Sequence, residues 1–190
     1  MGVEPPGARH DDGGLIRLRI HQVSQLFNSL DPSPFLERDL DGDAVAWIVS
    51  WAGDVHEKAM LSLRVEIAEP RAGIDHHAVI AQGVKNHFAN LVGFAGRELR
   101  QLLRVGRASL FIGLGVLGLA FTLGVLVVEI FGQSPATALL REGLSIGGWV
   151  AMWKPLEIFL YSWWPIRARR KLYERLRDMP IEVRLLAPPA

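Results

Sequence analysis

From Leu110 to Val128 the chain runs for 19 residues without a charged side chain. Wound as an α-helix, that stretch measures roughly 28 Å, close to the hydrocarbon thickness of a bilayer. Leu114, Val116, Leu117, Leu119, Phe121, Leu123, Val125 and Leu126 cover every side of it, whereas a surface helix of a water-soluble protein keeps one polar face. The pattern predicts a transmembrane helix over 108–131.

A second apolar stretch follows. Gly132, Gln133, Ser134 and Pro135 predict a hairpin loop, because glycine ends one helix, serine caps the next and proline suits its first turn. The second span is expected over 143–165, although Lys154, Pro155 and Glu157 interrupt it. Proline removes a backbone hydrogen bond, so an interfacial or re-entrant helix broken at Pro155 is the competing picture. Gly143, Gly147 and Ala151 recur every fourth residue, with Pro155 continuing the row. Ser109 with Gly113, Gly118 with Thr122, and Ala120 with Gly124 offer matching small surfaces on the first span. Small residues let helix backbones approach, so the two spans are expected to pack on each other or on a second copy of the chain.

Charge sets the orientation. Arg97, Arg100, Arg104 and Arg107 precede the first span, Arg167, Arg169, Arg170 and Lys171 follow the second, and the connecting loop has only Arg141. By the positive-inside rule both flanks are cytoplasmic, which gives a multi-pass protein of a bacterial inner membrane with both termini inside. Trp163 and Trp164 suit the aromatic belt on that side. The formal net charge of +1 hides an asymmetry. Residues 1–70 carry 6 basic and 12 acidic side chains, and residues 71–190 carry 15 and 8. The eight flanking basic residues are expected at anionic lipid headgroups, and no nucleic-acid motif competes for them. For the Arg97 to Arg107 stripe, an acidic protein partner is the other reading.

The polar remainder predicts an α+β fold: a small three-stranded cytoplasmic sheet with helices, interrupted by the two-helix transmembrane hairpin. Apolar and polar residues alternate from Leu15 to Val23, from Leu61 to Ile67 and from Ile181 to Leu185, as in strands with one wet face. Arginine and glutamate on that face are placed to pair across strands. Ser24 to Leu30 reads as a short helix ended by the prolines at 32 and 34. Asp43 is expected to cap a helix over Ala44–Ala52 that Gly53 closes. A longer helix is expected from about Ile74 to Arg107, continuing into the first span, and another from Pro165 to Arg177. Residues 1–14 form an expected mobile tail, 15–107 the cytoplasmic domain with its long helix, 108–165 the hairpin, and 166–190 the helix and strand that complete the sheet.

Few side chains carry a chemical signal. Cysteine is absent, which excludes disulfides, thiolate catalysis and Cys-ligated metal. His76, His77 and His87 have no metal-binding spacing, and Asp39, Asp41, Gly42 and Asp43 fit no register of a calcium loop. No P-loop, dinucleotide fingerprint or nucleophile elbow occurs, so no cofactor is expected and the reading leans away from an enzyme. Lys154 and Glu157 sit near the midpoint of the second span, where each unpaired charge costs roughly 2.5 to 3.5 kcal/mol. At a spacing of three they can bridge each other, with Tyr161 on the same face and Glu129 at the outer end of the first span. Ser24, Asn28, Asp31, Ser33, Phe35, Asp39 and Asp41 line a polar segment where binding chemistry could reside.

The strings His21-Gln22-Val23-Ser24-Gln25-Leu26-Phe27-Asn28-Ser29-Leu30-Asp31-Pro32-Ser33-Pro34-Phe35 and Gly148-Trp149-Val150-Ala151-Met152-Trp153-Lys154-Pro155-Leu156-Glu157-Ile158-Phe159-Leu160-Tyr161 resemble a group of uncharacterised bacterial inner-membrane proteins. The resemblance implies that setting and supplies no catalytic residue. Three functional readings follow. The first is a membrane-anchored adaptor or assembly protein that presents its cytoplasmic domain to a protein partner. The second is a homo-oligomeric channel or proton-coupled component using Lys154 and Glu157. The third is a lipid-modifying enzyme, for which the sequence offers no nucleophile or metal site.

Overall fold

A computed structural model of the chain describes residues 14–28, 39–69 and 75–186. Residues 1–13 of the expected 1–14 tail, the prolines at 32 and 34, and the first residues of the long helix lie outside the described residues, while Gly14 is fixed by accepting from Ser62 N–H at 3.0 Å. The fold is mostly helical with one small sheet. Its elements are β1 (Leu15–Ile20), α1 (Gly42–Asp54), β2 (Ser62–Ile67), α2 (His76–Phe131), α3 (Pro135–Ala151), α4 (Trp153–Glu157), α5 (Trp163–Asp178) and β3 (Ile181–Leu185). Contacts divide the chain into two compact units, one from the described residues of Met1–Gly93 and Arg169–Ala190, the other Phe94–Ala168.

The first unit is built on the sheet, ordered β1-β2-β3 with both pairings parallel. Parallel strands need a crossover, and helices lie between both pairs of consecutive strands. Alternation places Ile16, Leu18 and Ile20 beside Leu63, Val65 and Ile67, and these beside Ile181, Val183 and Leu185. This row is the dry face. With Ile48 and Ala52 of α1, Ile80, Val84 and Phe88 of α2, and Leu176 of α5 it forms one core, from which only the exposed Leu185 at the end of β3 is left out. The opposite face carries the expected ion pairs, Arg64 to Glu182 at 2.8 Å and Arg19 to Glu66 at 3.5 Å.

Three local expectations need correction. The first strand ends at Ile20, and the short helix after it is a single 3-10 turn over Val23–Leu26. Helix α1 begins before Asp43, and its cap is Asp41, whose carboxylate accepts from the backbone N–H groups of Asp43 and Ala44. An acceptor at the residue before the first turn serves donors that a residue inside the turn cannot reach. The long helix, by contrast, does run without a break into the apolar stretch, over 56 residues.

The second unit is an antiparallel helical hairpin. Gly132 takes a positive φ of 74°, Ser134 caps α3 by accepting from Thr137 N–H at 3.2 Å, and Pro135 opens the helix. Close approaches fix the register of the two arms. Gly106 lies beside Ile158 and Phe159, Gly113 beside Ala151 and Met152, Gly148 beside Leu117 and Ala120, and Gly124 beside Arg141. The row expected from four-residue spacing is therefore only half correct: Gly143, Gly147 and Gly118 face open space. Contacting positions instead repeat by seven, as Gly106, Gly113 and Ala120 on one arm and Arg141, Gly148 and Pro155 on the other. Two helices that stay side by side over many turns need that 3.5-residue average.

Helix α3 is interrupted at Met152, three residues before the proline at which a break was expected. Pro155 has no N–H for the carbonyl of Ala151, so the ladder fails one turn upstream. That carbonyl oxygen would stand 3.0 Å from a Cβ at Gly113, so a hydrogen there keeps the arms together. A π-helical turn over Ile158–Ser162 leads into α5.

Among the described residues one helix, α2, is long and apolar enough to cross a membrane. Its charge-free stretch, Ala108 to Val128, has 21 residues, about 30 Å of helix. The other arm is free of charge only from Gly143 to Trp153, 11 residues, about 16 Å.

Candidate functional site

The polar segment after β1 returns on itself. Phe27 and Leu40 form an isolated antiparallel bridge. Asn28 N–H donates to the Asp39 carbonyl and Asp41 N–H to the Leu26 carbonyl, each at 2.9 Å. Four backbone groups from distant positions thus close a neck at 26–28 and 39–41. It is fastened to α2 twice. The buried Phe27 ring lies over Gly83, where an added Cβ would come within 2.5 Å of ring carbon Cε1. Asp39 Oδ1 meets His87 Nδ1 at 3.1 Å, and the His87 ring stands edge-on to Phe88, 5.7 Å between centroids. On the side of β1, the Gln25 amide oxygen accepts from His21 N–H at 2.8 Å, and Gln22 Nε2 donates to Glu69 at 3.2 Å.

Of the segment expected to bind a partner, this neck brings together Asn28, Asp39 and Asp41, with Ser24 exposed on the 3-10 turn. Asp41 is committed to capping α1. Asp31, Ser33 and Phe35 lie outside the described residues. Sequence reasoning missed Gly83 and His87. The available signal was Gly83 itself, a glycine inside a strongly periodic helix, which points to close packing.

The hairpin relocates the ion pair. Lys154 Nζ donates to Glu157 Oε2 at 3.1 Å, as its spacing suggested. The two side chains are 65% and 45% exposed, so the pair is open to its surroundings. Its position is in the middle of the second arm but opposite one end of the apolar stretch of α2. Lys154 falls between Met152, beside Gly113, and Ile158, beside Gly106, which aligns the pair with the start of the uncharged stretch of α2. No hydrogen bond joins the exposed Tyr161 to Glu157. At the tip, the stem of Arg141 runs along Gly124, and no ion pair joins Arg141 to the exposed Glu129.

The basic residues divide by partner. Arg97 lies 6.0 Å from the centroid of the Phe94 ring, and Arg167 lies 5.6 Å from that of Trp163. Trp163 in turn donates its indole N–H to the Phe159 carbonyl at 2.9 Å. Arg100, Arg104 and Arg107 are exposed, as is Arg169. Arg170 and Lys171 are instead engaged within the domain, by Glu174 at 2.9 Å and Glu57 at 3.1 Å. That Lys171 hydrogen bond holds the Glu57 carboxyl below its ordinary range. Arg64, then Arg184, does the same to Glu182, and Arg177 to Asp178. Among the described residues no group of three or more His, Asp or Glu side chains could hold a metal ion.

Neck, sheet and hairpin define a helix-backed α+β chain that contains one helix fit to cross a membrane. No family model, curated protein or solved structure matches it.

Proposed function

We propose that the chain is a membrane-anchored adaptor or assembly protein of a bacterial inner membrane, with both flanks of its hairpin cytoplasmic and its small domain offered to a protein partner. One observation carries this reading: β2 and β3 are hydrogen-bonded neighbours, yet the whole apolar hairpin lies between them in sequence. Strands of one sheet occupy one compartment, so an even number of crossings separates them. The basic residues before α2's apolar stretch and after the second arm support the cytoplasmic side. The neck supports the partner surface, because a loop base fixed to a scaffold keeps the exposed Ser24 and Asp39 in place. The second reading, a homo-oligomeric channel or proton-coupled component using Lys154 and Glu157, rests on their ion pair at 3.1 Å; its sign would be loss of function in Lys154→Met with Glu157→Gln.

The cysteine-free chain permits a direct test of topology. Gln133→Cys at the tip is expected to react with a membrane-impermeant maleimide in intact spheroplasts, and Met60→Cys in the domain only after permeabilisation. Labelling of both in intact spheroplasts, or of Met60→Cys alone there, refutes the arrangement. Ser24→Arg with Asp39→Arg is expected to abolish co-purification of a partner from detergent without lowering the thermal midpoint by more than a few degrees. Retention of the same partner refutes the neck as its binding surface.

A further inference from the structure

We infer that the hairpin fits a bilayer thinner than average, its preferred thickness set by the short arm; this rests on the membrane reading above. The two arms have unequal apolar lengths. On α2 the limits are Arg107 and Glu129, about 33 Å apart along the helix, while on the second arm they are Glu142 and Lys154.

Each limit of the short arm shows how far its charge can withdraw. Side chains on a helix lean toward its N-terminus, which for Lys154 means deeper into the apolar zone. Its ammonium is instead held by Glu157, one turn toward the C-terminus, so the charge is drawn to the level of Arg107. Exposed Trp153 stands beside it, where an amphipathic indole favours the water boundary. At the other limit, the Arg141 stem lies along Gly124, and its lean carries the guanidinium toward the tip. Glu142 is too short to follow, and among the described residues it has no ion-pair partner. Between Glu142 and Glu157 the arm offers about 22 Å, against roughly 30 Å of hydrocarbon in an average bilayer.

Mismatch acts differently on the two arms. A stretch too long for its bilayer tilts, whereas one too short drags charge inward or thins the lipid beside it. The short arm therefore sets the optimum, and α2 adapts to it.

The test uses the full-length chain reconstituted into vesicles of dimyristoleoyl-, dioleoyl- or dierucoyl-phosphatidylcholine, each with the same minor fraction of dioleoyl-phosphatidylglycerol. The reading is the protein fraction that resists alkaline extraction. That fraction is expected to be highest in the shortest lipid and about tenfold lower in the longest. Arg141→Leu with Glu142→Leu lengthens the short arm and is expected to move the optimum to the dioleoyl lipid. Equal insertion in all three lipids, unchanged by that double substitution, overturns the inference. Failure to insert into any of the three overturns the membrane reading together with it.

Discussion

The register of the hairpin makes a sharp prediction because the chain has no cysteine of its own. A Cβ added at Gly124 would stand 4.0 Å from the Cβ of Arg141, a separation that a disulfide bridges without moving the backbone. The double variant Gly124→Cys/Arg141→Cys is expected to close an intrachain disulfide across the two arms. The positions are 17 apart in sequence, and a loop of that size stabilises by about 3 kcal/mol in the chain-entropy account. For a chain this long that corresponds to a rise of about 6 to 12 °C in thermal midpoint over the reduced form. The pair is oxidised in detergent and scored by loss of maleimide labelling and by intact mass. Gly118→Cys/Gly147→Cys, both facing open space, is the pair that should stay reduced. On the proposed topology the first pair is expected to oxidise unaided in living cells, because the tip would then face the oxidising periplasm. Closure in detergent but not in cells keeps the packing and refutes the topology, and no closure in either refutes the antiparallel register.

Adjacent glycines should behave oppositely: Gly148→Leu forces a side chain against Leu117 and Ala120 and is expected to cost about 1 to 3 kcal/mol, while Gly147→Leu is tolerated. Equal losses in thermal midpoint would show that the contacting row is misassigned. Asp41→Ala removes the α1 cap and is expected to destabilise the chain by about 1 kcal/mol in urea titration, with Asp43→Ala nearer neutral; the reverse order would restore Asp43 as the cap. Glu182, whose carboxyl is held below its ordinary range by Arg64 and Arg184, stabilises the folded chain above the ordinary carboxylate pKa, and that contribution disappears as pH falls through the depressed value. Thermal midpoints should therefore drop in acid, and less steeply for Glu182→Gln; an unaltered slope would remove Glu182 from the account.

Periodicity made much of this fold legible. The alternation from Leu61 to Ile67 and from Ile181 to Leu185 located two strands to within a residue and assigned their dry face correctly. Strand direction is silent in alternation; the parallel pairing is seen only in the structure, where the helices between consecutive strands supply the crossovers it needs. The hairpin loop was readable from Gly132, Ser134 and Pro135 because each has a distinct backbone role. Its packing row was misread for an identifiable reason. Gly143, Gly147 and Ala151 follow the four-residue step of two helices that meet at one crossing point, but long parallel contact selects a seven-residue step, visible beforehand in Gly106, Gly113 and Ala120. Counting along one segment puts Lys154 at the middle of 143–165, whereas the residues of the opposing arm beside it, between Gly106 and Gly113, appear only in the packed hairpin. Asp39 and His87 are 48 residues apart, and nothing local announces a contact made by tertiary packing.

The sheet is finished by a strand synthesised after the hairpin. On the membrane reading, β2 waits with one edge unpaired until both arms have been translated and delivered to the bilayer, and only then does β3 zip onto it. Insertion and maturation are thereby coupled in time. A chain that misses the membrane would carry a raw strand edge, the kind of lesion by which cellular proteases and chaperones recognise a failed product.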